Sequence, residues 1–296
     1  MAVYNFGSIN IDHIYSVEHF VEPGETLSSS HYKQVLGGKG ANQSIACARA
    51  NCQVFHIGSV NKKDIHYLEY LEGTGVNCDL VTQTEETASG HAIIQVTAEG
   101  ENAIVLYTGA NHTLTSAQIQ GALEQAYAND WVLLQNETNK IEEIINTAHA
   151  KGLKIAFNPA PMTNNIKALD ITKIDLLFVN EIEAMQLTQT QNIASARLAL
   201  TNSYPSTKVV MTMGKAGAVF LHQNESIDVA GKQVDVVDTT AAGDTFTGYF
   251  LANYCDTNDV KLALEHATAA AALCVTKSGA APSIPNAQEV ALFINS

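Results

Sequence analysis

Short apolar runs recur along the chain, and most of them end in glycine, asparagine or another polar tip. "VYNFG" (3–7), "QVFHIG" (53–58), "WVLLQ" (131–135), "LKIAFNP" (153–159), "LLFVN" (176–180) and "KVVMTMG" (208–214) have the length and composition of buried strands. Between them lie segments with helical spacing, "SAQIQGALEQAYA", "KIEEIINTAHA" and "NIASARLALTN", and "TSAQ" (115–118) has the form of a capping box at the head of the first. Strand, loop, helix, strand is the grammar of a parallel sheet covered by helices. The pattern predicts an α/β fold with a doubly wound, mostly parallel sheet flanked by helices.

Two regions break the alternation. Residues 14–36 and 88–108 are β-rich around Gly/Glu turns, and "AIIQVTAEGENAIVLY" within the second has the form of a hairpin. Such extra strands leave the main sheet and form a flap. No repeat, low-complexity run or Pro/Gly/Ser linker divides the chain, so residues 1–296 are expected to make a single domain with these segments inserted. From Ala242 onward the pattern predicts two successive helices, the second with a small-residue face in "ATAAAAL" that suits close packing.

Composition narrows the class. Apolar residues make up 46% and charged residues 16%, as in ordinary soluble proteins. No apolar run approaches the ~18 residues of a membrane span, and "MAVYNFGSINID" reads as a first strand rather than a signal peptide. Five cysteines with no C-x-x-C pair suit reduced thiols and a cytoplasmic protein. The net charge of −14 disfavours a nucleic-acid partner. Arg49 and Arg197 are the only arginines. A bound phosphate would therefore rest on helix-end amides, lysines and a metal rather than on an arginine clamp.

Several motifs offer such chemistry. "GGKGANQ" (37–43) lacks Walker A spacing, but its glycines permit close approach of a ligand, with Lys39 and Asn42 on one side. "GSINIDH" (7–13) sets Asn10 and Asp12 on one face of a strand, a pairing that grips vicinal sugar hydroxyls; an Asx turn explains it equally well. Glu137 ends "QNE" and could add a hydroxyl contact. In "NEIEA" (180–184), Asn180 and Glu183 fit either a reciprocal helix cap or the orientation of hydrated Mg²⁺ and phosphates. "TMGKAG" (212–217) forms a backbone-lined slot where a flat ring could lie.

"DTTAAGDTF" (238–246) is the most telling stretch. Small side chains at the start of a helix leave its amides bare, and the helix dipole favours an anion there. Asp244 in the first turn would repel a phosphate, yet it suits a base that takes a proton from an incoming hydroxyl. An acid stabilising the dipole is the plainer explanation of Asp244 alone, but it leaves the bare Ala-Ala-Gly run unexplained.

"GSINIDH", "GGKGANQ", "NEIEA", "DTTAAGDTFTGYF" and "VTKSGAAPSIP" occur in this order over nearly the whole chain. Together they resemble the ribokinase branch of the phosphofructokinase-B carbohydrate kinase family. The resemblance implies a ribokinase-like fold with a small β-sheet lid that often forms a homodimer interface. It also implies ATP-dependent phosphorylation of the 5-hydroxyl of D-ribose. On this resemblance Asp244 is the base, and Ala241, Ala242 and Gly243 form the anion hole. Asn10, Asp12, Gly38, Lys39, Asn42 and Glu137 hold the sugar. Asn180, Glu183, Thr212, Gly214, Lys215, Gly217, Gly243 and Thr268 serve ATP and Mg²⁺. An activating K⁺ falls to Asp238, Thr240, Cys274, Lys277, Gly279 and Ser283, several through main-chain carbonyls, so that the Lys277 side chain can point away.

The chain departs from the family pattern in two places. "GSVNKKD" (58–64) replaces the usual G-x-V-G-D/N-D loop, and Thr268 stands where an asparagine near the adenine is common. A related kinase acting on another sugar or a nucleoside shares the catalytic motif. A sugar-binding regulator without activity is opposed by the intact Asp244, Gly243 and Glu183.

Overall fold

The structure, a computed structural model, describes residues 1–295; Ser296, the last residue of the expected domain, lies outside the described residues. Its first third contains β1 (Ala2–Phe6), β2 (Asn10–Ser16), β3 (His31–Gly37), α1 (Lys39–Arg49), β4 (Gln53–Ile57), β5 (Ser59–Asn61), α2 (Ile65–Gly73), β6 (Thr82–Thr84), β7 (Gly90–Val96) and β8 (Asn102–Tyr107). The middle contains α3 (Ser116–Glu124), β9 (Trp131–Gln135), α4 (Ile141–Ala150), β10 (Lys154–Asn158), β11 (Leu176–Asn180), α5 (Glu181–Thr188) and α6 (Ile193–Ser203). β12 (Lys208–Thr212), β13 (Gly217–His222), β14 (Glu225–Ala230), α7 (Ala242–Thr257), α8 (Val260–Cys274) and α9 (Ala287–Ile294) complete it.

Every apolar run read as a strand joins one eight-stranded sheet, ordered β14-β13-β12-β11-β10-β9-β1-β4. Its strands pair in parallel from β4 to β12, and only β13 and β14 run antiparallel to their neighbours. Alternate residues feed two cores, as strand geometry requires. Val3, Leu133, Phe178, Val210 and Phe220 pack with α1, α7 and α8, while Tyr4, Leu134, Phe157, Val179 and Met211 pack under α3 to α6. This is the expected doubly wound arrangement.

The stretches expected to leave the main sheet, extended back to Asn10, supply a separate four-stranded sheet, β3-β2-β7-β8. Asn10 pairs with Gly37 on one side and Gly90 on the other, so the small sheet begins beside the glycine loop that opens α1. No helix among the described residues is long and apolar enough to cross a membrane.

Two local expectations change. Thr115 caps α3 by accepting from the Gln118 amide at 3.2 Å, but Gln118 does not reciprocate. Its side chain instead donates to the Gly58 carbonyl at 2.9 Å, a tertiary contact that competes with the local box. α3 also stops at Glu124, four residues before the helical spacing ends.

Candidate active site

The loop before α7 is tied to its neighbours by one carboxylate. Asp238 Oδ1 accepts from the Thr240 amide (2.9 Å) and hydroxyl (2.6 Å), and its Oδ2 accepts from the Gly279 amide (2.9 Å). The chain then enters the helix through Ala241 in a left-handed conformation, φ 62°, with no side-chain cap. A Cβ added at Gly243 would meet no protein atom within 4 Å, so the first turn faces open space. Unsatisfied amides and the positive end of the helix dipole gather there. The Ala242 amide leans weakly on the Thr239 carbonyl at 3.3 Å and is the least free of the expected set.

Asp244 follows in the same turn and is buried. Its Oδ2 accepts from Asn42 Nδ2 at 3.0 Å, and its Oδ1 from Gln43 Nε2 at 2.9 Å. Burial pushes its pKa up, while Lys39, Gln43 and Asn42 pull it back towards ionisation. Lys39 is the hub. Asp244 is the largest influence raising the pKa of its ammonium, burial opposes it, and Glu137, Glu183 and Asp12 add to the rise. Four carboxylates from four parts of the chain thus share one lysine.

The expected sugar contacts gather around this hub. Asn10 and Asp12 lie on one face of β2, which rules out the Asx-turn alternative. Asn10 Oδ1 accepts from Asn111 Nδ2 at 2.7 Å, so its polarity is set by the protein. Burial raises Asp12 to about 6, with Glu137 adding and Lys39 opposing. Glu137 accepts from Ser8 Oγ (2.5 Å) and the Lys39 amide (3.0 Å), yet burial still raises its pKa. Gly38 precedes α1, and Asn42 Oδ1 is buried without a partner, which leaves it for a ligand donor.

Two cavities meet at the start of α7, sharing Thr212, Thr239 and Gly243. The first, about 220 Å³, is lined by Lys39, Asn158, Asn180, Glu183 and Asp244. The second, about 560 Å³, holds Gly214, Lys215, Gly217 and Thr268 against an apolar wall that includes Val236, Phe246 and Ala271. All the expected nucleotide residues line one cavity or the other. Thr268 Oγ1 is buried and unpartnered, so the residue that departs from the family pattern still offers a polar atom at this wall.

The metal candidates divide. Asn180 and Glu183 form a complete capping box on α5, the Asn180 Oδ1 accepting from the Glu183 amide (2.8 Å) and Glu183 Oε2 from the Asn180 amide (2.9 Å). Of the side-chain atoms, Glu183 Oε1 remains to accept in the cavity and Asn180 Nδ2 to donate. Among the described residues no three His, Cys, Asp or Glu side chains are grouped so as to hold a metal ion. A divalent ion here would take most of its oxygens from phosphate and water, the usual habit of Mg²⁺. Asp238, Thr240, Cys274, Gly279 and Ser283 do come together: Cys274 Sγ lies 3.0 Å from Ser283 Oγ and 3.7 Å from the Thr240 carbonyl. The oxygens of this loop suit a hard monovalent cation. The Lys277 side chain turns away to Glu289 at 2.8 Å, as expected.

Ser8, Gln43, Asn111 and Asn158 were not singled out from the sequence. A signal existed for Gln43: α1 carries no charged residue from Gly40 to Ala48, and Gly40 through Cys47 are all buried. A polar side chain in a helix buried all round must find partners.

A match to the pfkB family of carbohydrate kinases spans residues 2–287. The chain is 37% identical to the ribokinase of Bacillus subtilis, over 96% of both chains. It is 35% identical to that of Haemophilus influenzae, over 97% of this chain and 96% of the other. The Arabidopsis thaliana ribokinase structure with ribose and ATP superposes with a TM-score of 0.88, at 28% identity and complete coverage of both chains. The chain belongs to the pfkB family of carbohydrate kinases. Within that family these three relatives are ribokinases.

Proposed function

We propose that the protein transfers the γ-phosphoryl group of ATP to the 5-hydroxyl of D-ribose. One observation carries this: the buried Asp244, with both oxygens held by amide donors, lines the polar cavity one residue from Gly243, which lines both. Acceptor and donor substrates would meet where a base and a bare helix end are adjacent. The named complex of the Arabidopsis relative, with ribose and ATP, supports the same pair of ligands.

Asn10, Asp12, Gly38, Lys39, Asn42 and Glu137 hold the sugar, with the orphan Asn42 Oδ1 accepting one hydroxyl. Asp244 takes the proton of the 5-hydroxyl, whose oxygen bonds to the γ-phosphorus as the bond to ADP breaks. The amides of Ala241, Ala242 and Gly243, with Lys39, meet the charge on the transferring group. Adenine lies in the apolar cavity beside Thr268 and the glycines. Glu183 and Asn180 would hold Mg²⁺ largely by way of water, and the ion would supply charge neutralisation to the phosphates. Oxygens around Asp238, Thr240, Cys274, Lys277, Gly279 and Ser283 would hold K⁺, whose charge would steady the loop before α7.

The small sheet serves as the lid. It exposes Ile93, Val105 and Tyr107 by 43–67% on one face, an apolar patch that supports a homodimer through it. The five unpaired cysteines support a cytoplasmic setting. A coupled ADP-release assay over ribose, deoxyribose, fructose and adenosine, each in K⁺ or Na⁺, tests the proposal. Ribose should turn over fastest, and faster in K⁺. Turnover of adenosine but not ribose would overturn the substrate, and equal rates in the two salts would remove the cation site.

A further inference from the structure

A file of buried polar side chains runs from Asp244 away from both cavities. Gln43 donates through Nε2 to Asp244 at 2.9 Å and to Asn158 Oδ1 at 3.2 Å, and accepts through Oε1 from Gln135 Nε2 at 2.8 Å. Gln135 Nε2 also donates to Asn5 Oδ1 at 2.9 Å. Asn5 Nδ2 in turn donates to the Gly40 carbonyl and to Ser44 Oγ, each at 2.8 Å. Ser44 Oγ lies 2.9 Å from His56 Nδ1, and His56 Nε2 lies 3.1 Å from the Gly7 carbonyl. Asn5, Gln43, Ser44, His56 and Gln135 are all fully buried.

The direction of every bond in the file is decided at its far end. A main-chain carbonyl only accepts, so Asn5 must turn its amide nitrogen to Gly40 and His56 must carry its proton on Nε2 towards Gly7. Neutral His56, which burial lowers to about 4, then accepts from Ser44. Asn5 is left facing Gln135 with its oxygen, so Gln135 presents nitrogen. Gln43 answers with oxygen and has only its nitrogen left for Asp244. The two Gln135 Nε2 hydrogens serve these two acceptors, and Gln135 Oε1 is buried and unpartnered.

We propose that Gln43 is a positioning residue for Asp244, its amide held nitrogen-outward by Gln135 and Asn5 on the fixed carbonyls of Gly40 and Gly7. This rests on Asp244 being the base. The donor keeps the carboxylate ionised and aims the lone pair left on Oδ1, while Asn42 does the same for Oδ2. The other titratable groups that sense Asp244 are Lys39, Glu137, Glu183 and Cys274, and none belongs to the file.

The test is single-turnover phosphoryl transfer to ribose across about pH 5 to 9, with melting curves, in Gln43→Met, Gln135→Met and Asp244→Asn. Gln43→Met should be about ten- to hundredfold slower, the worth of a hydrogen bond to a charged group. Its acid limb should move up by about one pH unit, with the sugar KM within about twofold. Gln135→Met, which touches no ligand, should shift the limb in the same direction by less. A purely structural role would lower the melting temperature and leave the limb in place. An unmoved limb in folded Gln43→Met, or in Gln135→Met if the first does not fold, overturns the positioning role. Near-normal turnover in Asp244→Asn instead overturns the base on which it rests.

Discussion

The two cavities at the head of α7 are built on opposite plans. Around Asp244 most polar groups are held by others, from Ser8 and Glu137 to Asn42 Nδ2 and Gln43, and Asn42 Oδ1 is left over. The neighbouring cavity offers mainly glycines, valines and alanines, with Lys215, Lys232, Gln233 and one unpartnered threonine hydroxyl among them. A reacting hydroxyl needs a fixed angle to its base, and preorganised donors supply it without reorganisation during the reaction. A flat ring and a phosphate chain need shape and main-chain amides, which small residues provide by staying out of the way. Orientation is built at one end of the cleft, and room at the other.

The most damaging way to break the polar end is Asp244→Asn. Loss of the base should lower turnover by about a thousandfold or more, while ribose affinity and the melting temperature stay near those of the parent. Intermediate loss would assign the proton to another group.

A pair of glycine substitutions separates the two plans. Gly40→Ala would drive a methyl to 2.3 Å from the Ser8 amide and 2.4 Å from Gly7, against backbone that cannot yield. It should destabilise the fold by on the order of 3 kcal/mol. Gly243→Ala meets nothing, so its melting curve should match the parent while ATP turnover falls on the order of tenfold. Equal stability losses in the two variants would contradict the contrast.

Acidity gives the gentlest probe. Asp12 is raised to about 6, so it is ionised above that pH and protonated below it. As an acceptor of sugar hydroxyls it should hold ribose well at neutral pH, with affinity falling up to about tenfold per unit below pH 6. Calorimetry on Asp244→Asn against Asp12→Asn/Asp244→Asn isolates this, because residue 244 no longer titrates and the buried Glu137 is common to both proteins. A flat affinity from about pH 5 to pH 8 would remove the Asp12 carboxylate from the contact.

The parallel strands were legible because burial on both faces leaves unbroken apolar runs such as "WVLLQ" and "LLFVN". The β13–β14 hairpin was not, since its turn uses Gln223 at φ 52° where glycine or asparagine would have announced it. In the site, motif residues that face the cavities could be named from their chemistry. Asn111 and Gln135 could not, because their partners lie 101 and 130 residues away in the chain. The apolar wall at Val234 and Val236 escaped for a different reason: in "GKQVDVVDTT" nothing periodic marks a loop that becomes a binding surface only against Phe246 and Ala271.

The phosphorus NMR spectrum of the product formed from ribose and ATP tests most directly whether the buried acid activates the 5-hydroxyl. Phosphate on that oxygen couples to the two protons of its carbon and gives a triplet, which is the result expected. A doublet from a phosphate on the anomeric oxygen, or inorganic phosphate alone, would contradict the placement of the sugar against Asp244.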